Sequence, residues 1–162
     1  DALPILLNRV LLNTALLARS SELLEVPVFR TEQYPQGLGA THPGVAAALP
    51  ASTTGFEKQS FSCCGAVGFD DALGASGRDQ VVLVGMEAHV CVLQTALDLR
   101  RAGREVFVVE DAICSRRLEN YQNALDRMRQ NDVHVVSAES VVFEWMGSAA
   151  HPRFKAVQAL LR

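Results

Sequence analysis

The residue of this chain best suited to covalent chemistry is Cys91, because of what stands on either side of it. Gln80–Val84 is a short β-branched apolar run of the kind a buried strand uses, and Gly85 is expected to end it. From His89 onward the pattern turns helical, with Val92, Leu93, Ala96, Leu97 and Arg100 on one spacing and Gly103 as the stop. Cys91 then falls in the first turn of a helix that follows directly on a buried strand. Unpaired N–H groups and the positive end of the helix dipole favour a thiolate there. A thiolate beside such amides offers both a nucleophile and a seat for an oxyanion. The competing account is that an unpaired cysteine is a small core residue. Other residues have to decide between them.

The elements that would position Cys91 are legible as alternating patterns. Leu6–Leu24 is helical by its Leu and Val spacing. Val26–Arg30 reads as a strand, with Pro27 near its start. Thr31–Gly39 and 42–54 read as loops by their Pro and Gly content, and Phe56–Phe61 as a weak strand. Gly68–Leu73 opens a short helix that ends in the glycines at 74–77. After the central strand and helix come Glu105–Val109 as a buried strand closed by residues 110–112, and a helix over Arg117–Asn131. The helix shows Leu118, Tyr121, Leu125 and Met128 on one face. Val133–Val136 reads as a strand, and Ser140–Met146 and Pro152–Leu161 as helices, the latter with proline in its first turn.

Strands apolar on both faces alternating with helices call for a three-layer α/β/α domain around a mainly parallel sheet. At 162 residues the chain is one domain. A strand before the first helix is expected in such a fold and is not found. The expectation is therefore of a missing front end, with organelle targeting left open. The 49% hydrophobic and 20% charged fractions are those of a soluble globular protein, and no apolar run reaches the roughly 20 residues a membrane span needs. Net charge −3 gives no general attraction to nucleic acid. Four cysteines, two of them adjacent (Cys63 and Cys64), make a poor disulfide framework and have no zinc-type spacing. Reduced thiols fit an intracellular, cytoplasmic setting.

In open α/β sheets ligands sit beyond the carboxyl ends of the strands. Those ends are Thr31–Gln33, Lys58, Glu87–Cys91 and Asp111–Ser115. The pattern G-x-E-A-x-x-C-x-x-x-T-x-x-D-L, standing here as Gly85, Glu87, Ala88, Cys91, Thr95, Asp98 and Leu99, resembles the isochorismatase-like cysteine hydrolases. It is most similar to the isochorismatase domain-containing branch. TEQYPQGLG at 31–39, EKxSFS at 57–62, EDA at 110–112 and HPxFK at 151–155 match the same branch.

The resemblance implies an Asp–Lys–Cys triad in which Cys91 is the nucleophile and Lys58 the lysine; by itself Lys58 would read as a solvated loop charge. The triad Asp, which the family carries at the end of a first strand in a D-x-Q setting, has no match here. Asp1 lacks the glutamine and the strand, and is not assigned. The resemblance further implies a non-proline cis peptide between Met86 and Glu87. Beside it, the Glu87 and Cys91 N–H groups would form an oxyanion hole. The nicotinamidase branch carries a metal-binding D-x-H where this chain has Thr31-Glu32-Gln33, so no metal and no other cofactor is expected. Glu32, Gln33 and His89 are candidate substrate-pocket residues; Glu32 could equally be a loop charge, and His89 a polar residue at a helix start. Cys63 and Cys64 read as packing residues, and Asp111 as a turn cap.

The activity implied is thioester-forming hydrolysis of a small amide or related carbonyl compound. One alternative is a catalytically impaired relative acting as an oligomeric binding or scaffold protein. Another is a nucleic-acid-processing enzyme using Arg100, Arg101, Arg104, Arg116, Arg117, Arg127 and Arg129. No aromatics interleave those arginines, which read as solvated helix charges. A homo-oligomer is implied by the family, with Val141–Trp145 and the last helix as interface material.

Overall fold

The structure, a computed structural model, describes residues 3–161; Asp1 lies outside them. Its order is α1 (Leu3–Leu23), β1 (Phe29–Gln33), α2 (Pro35–Leu38), α3 (Pro43–Ala46), β2 (Thr54–Lys58), α4 (Phe69–Ala75) and β3 (Gln80–Met86). There follow α5 (Leu93–Arg101), β4 (Glu105–Cys114), α6 (Leu118–Gln130), β5 (His134–Val136), α7 (Ala138–Met146) and α8 (Phe154–Gln158). The described strands form two parallel sheets, β1–β2 and β3–β4–β5.

The alternation of side chains along β3 sorts the helices into two layers. Val81 and Leu83 face one core with Phe69 and Leu73 of α4, Leu93, Ala96 and Leu99 of α5, and Leu125 and Met128 of α6. Val82 and Val84 face the other, with Leu17 of α1, Val141 and Val142 of α7, and Val157 of α8. A sheet covered on both faces is the three-layer α/β/α arrangement expected. The β1–β2 pair joins the first core through Phe29, Phe56 and Phe69, whose ring centroids lie 5.6–6.3 Å apart. Such aromatic pairs are worth roughly 0.5–1.5 kcal/mol each beyond the area they bury.

Several boundaries differ from the expectation. The first strand is not Val26–Arg30 but Phe29–Gln33, because parallel pairing with β2 begins at Phe29↔Thr54 and runs to Gln33↔Lys58. Thr31–Gln33 is thus strand rather than loop. Proline and glycine act only from Pro35 on, where Pro35 and Pro43 each open a one-turn helix at a first position. Pro152, by contrast, lies in a turn ahead of α8, whose cap is Arg153. Gly85 does not end β3 but sits inside it at φ +123°, where the pairing with β4 slips. A side chain would be strained there.

The fourth strand likewise runs past residues 110–112. Leu83 pairs with Val108 and Gly85 already with Ile113, so β4 bulges between. Side chains satisfy groups the bulge frees. Tyr121 Oη donates to the Glu110 carbonyl at 2.6 Å and Asn13 Nδ2 to that of Asp111 at 2.7 Å. Asp111 Oδ1 accepts the Ala138 N–H at 2.8 Å, so this residue holds the first amide of α7, whose N-cap is Ser137, rather than capping a turn of its own.

Val141, Val142 and Val157 are core residues, and Trp145 packs against the same core. The stretch expected as interface is therefore divided: Val141, Val142 and Val157 are interior, whereas Phe143, at 41%, and most of the last helix are exposed. Leu118 is likewise exposed, off the buried face of α6. No described helix is long and apolar enough to cross a membrane.

Candidate active site

Cys91 does not stand in an α-helical first turn. A π-helical turn, Ala88–Val92, joins β3 to α5 and carries it, with Val92 N–H reaching back to the Glu87 carbonyl at 3.3 Å. Wide turns of this kind occur at functional sites. The Met86–Glu87 peptide ahead of it is cis.

The last residue of β2 comes to the same place. Lys58 is buried, at 7% exposure, and so is no solvated loop charge. Its Nζ lies 3.7 Å from Cys91 Sγ. It also donates to Gln33 Oε1 at 2.5 Å and to the carbonyls of Ser60 and Phe61 at 3.1 and 2.7 Å. Four contacts converge on one ammonium, and none is a carboxylate among the described ion pairs.

A cavity of about 110 Å³ opens at this point, lined by Thr31, Gln33, Lys58, Cys63, Cys91 and Thr95 on its polar side, with Leu83, Val84, Met86 and Val92. A wider depression of about 580 Å³ lies by β5 and α7, with Val136, Ser137 and Phe143 in its wall. It shares no lining residue with the thiol cavity and holds neither a thiol nor a lysine, so the smaller space is the candidate site.

Strand alternation explains the rest. Thr31 and Gln33 face the cavity, which turns Glu32 away. The Glu32 carboxylate accepts from the Thr41 amide and from its hydroxyl, the latter at 2.8 Å. Those bonds, with Arg30 nearby, hold its carboxyl below the usual range although burial pushes it up. Glu32 is thus a loop anchor rather than a pocket residue. His89 also leaves the cavity wall: its Nδ1 pairs with Ser115 Oγ at 2.8 Å. Gln33 remains, held by Lys58 and by Nε2 donating to the Gln59 carbonyl at 2.7 Å.

Three lining residues were not singled out as pocket residues: Thr31 only as part of a strand end, Thr95 only within the motif, and Cys63 as packing. Thr95 is one turn beyond Cys91 on the same helix face, and Thr31 two residues before Gln33 on the same strand face; those spacings were the signal. Cys63 had none. Thr95 Oγ1 accepts the Cys63 N–H at 2.9 Å and Thr31 Oγ1 meets Cys63 Sγ at 3.3 Å, so the three brace each other.

All four cysteines are free. Burial, chiefly, pushes the Cys64 thiol up to about 11, and burial raises that of Cys114 as well. Among the described residues no group of three or more His, Cys, Asp or Glu side chains is placed to hold a metal.

Comparison with known proteins agrees with this architecture. A family model described as Isochorismatase domain matches residues 6–140. The chain is 40% identical over 149 residues to isochorismatase domain-containing protein 2 of Bos taurus, covering 91% of this chain and 71% of that protein. To the protein of the same description from Danio rerio it is 37% identical, covering 95% and 77%. A solved structure described as MAR1 ribonuclease from Caenorhabditis elegans superposes with a TM-score of 0.91 at 37% identity, covering 95% of this chain and 79% of that one. With the parallel sheets between two helical layers, these matches show that the chain belongs to the isochorismatase family, within the isochorismatase-like hydrolase superfamily.

Proposed function

We propose that the protein is a cysteine hydrolase of small amides or related carbonyl compounds, with Cys91 as nucleophile and Lys58 as its cationic partner. The observation that carries this reading is the 3.7 Å approach of a buried ammonium to a thiol at the wall of a small cavity. The Cys91 thiolate attacks the carbonyl carbon, and the new oxyanion is received by the Glu87 and Cys91 N–H groups at the turn. Collapse breaks the C–N bond, the amine leaves with a proton, and water hydrolyses the thioester. Lys58 stabilises the negative charge on sulfur. The proton released when the Cys91 thiol ionises is the one the departing amine takes.

The cavity is far below the roughly 300–1,000 Å³ of drug-sized ligand sites, which fits a single small carbonyl-bearing end group. A homo-oligomer accompanies this reading, with exposed Phe143 as the place to look for a second copy.

RNA cleavage is a second reading, favoured by one observation: the worm structure 37% identical to this chain is described as a ribonuclease. The small cavity and the absence of an aromatic side chain from its wall oppose it.

The test is to incubate the protein with a panel of small primary amides and, separately, with labelled single-stranded RNA. Ammonia release and a Cys91-linked acyl adduct by mass spectrometry are expected, both lost in Cys91→Ala. Amide turnover that survives Cys91→Ala overturns the reading. RNA cleavage without amide turnover replaces it with the second.

A further inference from the structure

The nucleophile turn is gripped from one side by a neighbouring loop. Met86 pairs with Cys114 at the end of the β3–β4 ladder. Beyond it the two strands have no further pairing, but side chains continue the lacing. Glu87 Oε2 accepts the Arg116 N–H at 3.0 Å and its Nε–H at 3.1 Å. Two residues on, His89 Nδ1 meets the Oγ of Ser115, itself 1% exposed. Burial pushes the Glu87 carboxyl up, but the Arg116 amide and guanidinium outweigh it and hold the group ionised. Arg116 is thus solvated, as its sequence context suggested, while its backbone amide is held by Glu87.

We infer that Glu87 is a positioning residue for Cys91, its carboxylate fixing the turn that carries the thiol to the loop that follows β4. This rests on the reading of Cys91 as nucleophile. The Arg116 side chain is largely exposed, at 74%, so the guanidinium bond itself is worth little. The backbone bond is the stronger part: without its acceptor, the Arg116 amide loses the partner that ties the two loops together.

Iodoacetamide labelling at neutral pH, followed residue by residue by mass spectrometry, tests this with four thiols in one protein. Glu87→Ala is expected to slow Cys91 alkylation about fivefold or more, because a displaced thiolate loses the Lys58 charge now 3.7 Å away. Glu87→Gln keeps an oxygen acceptor and is expected to stay within about threefold of the parent. Fully buried Cys114 must remain unlabelled throughout, which separates displacement of the turn from unfolding. Parental alkylation in Glu87→Ala overturns the inference, as does equal loss in both variants, which would assign the effect to charge. Labelling of Cys114 along with Cys91 overturns it too. If instead the parent's Cys91 reacts no faster than Cys63, the nucleophile reading fails and takes this inference with it.

Discussion

Lys58 Nζ stands 3.7 Å from Cys91 Sγ although 33 residues separate them, because β2 ends at the same edge of the domain at which β3 turns into α5. The strand places the ammonium, and Gln33 with the Ser60 and Phe61 carbonyls orients it. A unit charge at 4 Å acts with about 1 kcal/mol even in the dielectric of water, and more in a buried site. Lys58→Met is therefore expected to slow iodoacetamide alkylation of Cys91 at least about fivefold. Residue-resolved mass spectrometry reads this, and an unchanged rate would deny Lys58 an electrostatic role.

Thr95 braces the cavity wall from inside the core. Replacing it by valine keeps the shape and removes the acceptor of the Cys63 N–H. An orphaned buried amide costs roughly 1–3 kcal/mol. Urea denaturation of Thr95→Val should show an unfolding free energy lower by that amount, read as a lower midpoint at unchanged slope; a midpoint equal to the parent's would mean that Cys63 N–H finds another partner.

Glu32 makes stability depend on pH. Its carboxyl titrates below the ordinary value of 4.5, so the ionised form is favoured by folding. The stabilisation is fully present above that value and is lost as pH falls through the depressed one. Glu32→Gln should thus be less stable than the parent at neutral pH, with the difference shrinking as the solution is taken below 4.5. Thermal melts across that range check it, and a difference that does not change with pH would contradict it.

Asp111 joins the bulge of β4 to the start of α7. Asp111→Ala should lower stability by roughly 1–3 kcal/mol, the cost of leaving the buried Ala138 amide without its acceptor, whereas Asp111→Asn keeps an acceptor and should fall much less. Chemical denaturation distinguishes the two. Equal losses would place the effect on charge instead.

The sequence disclosed the element order because hydrophobic period and turn residues are local signals, and the longer helices and the central strands β3 and β4 follow them. It disclosed Cys91 through the strand-to-helix junction. It misplaced β1, since a strand of Arg, Thr, Glu and Gln has little apolar pattern and is specified by its partner β2. That error hid the alternation along Thr31, Glu32 and Gln33, which separates cavity residue from loop anchor. The overrun of β4 was hidden for a related reason. Glu110 and Asp111 look like a strand's polar end, yet their groups are satisfied by Tyr121, Asn13 and Ala138, distant in sequence. Lys58 became a site residue through family resemblance, because nothing local marks a lysine as buried.

Among the described residues β1 and β3 each pair along one side alone, and both lead to the thiol cavity. Both strands deliver their last residues, Gln33 and Met86, to the wall of one cavity. A slip in the register of either would therefore reshape the space around the thiol, so strand pairing far from the sulfur tunes what can reach it.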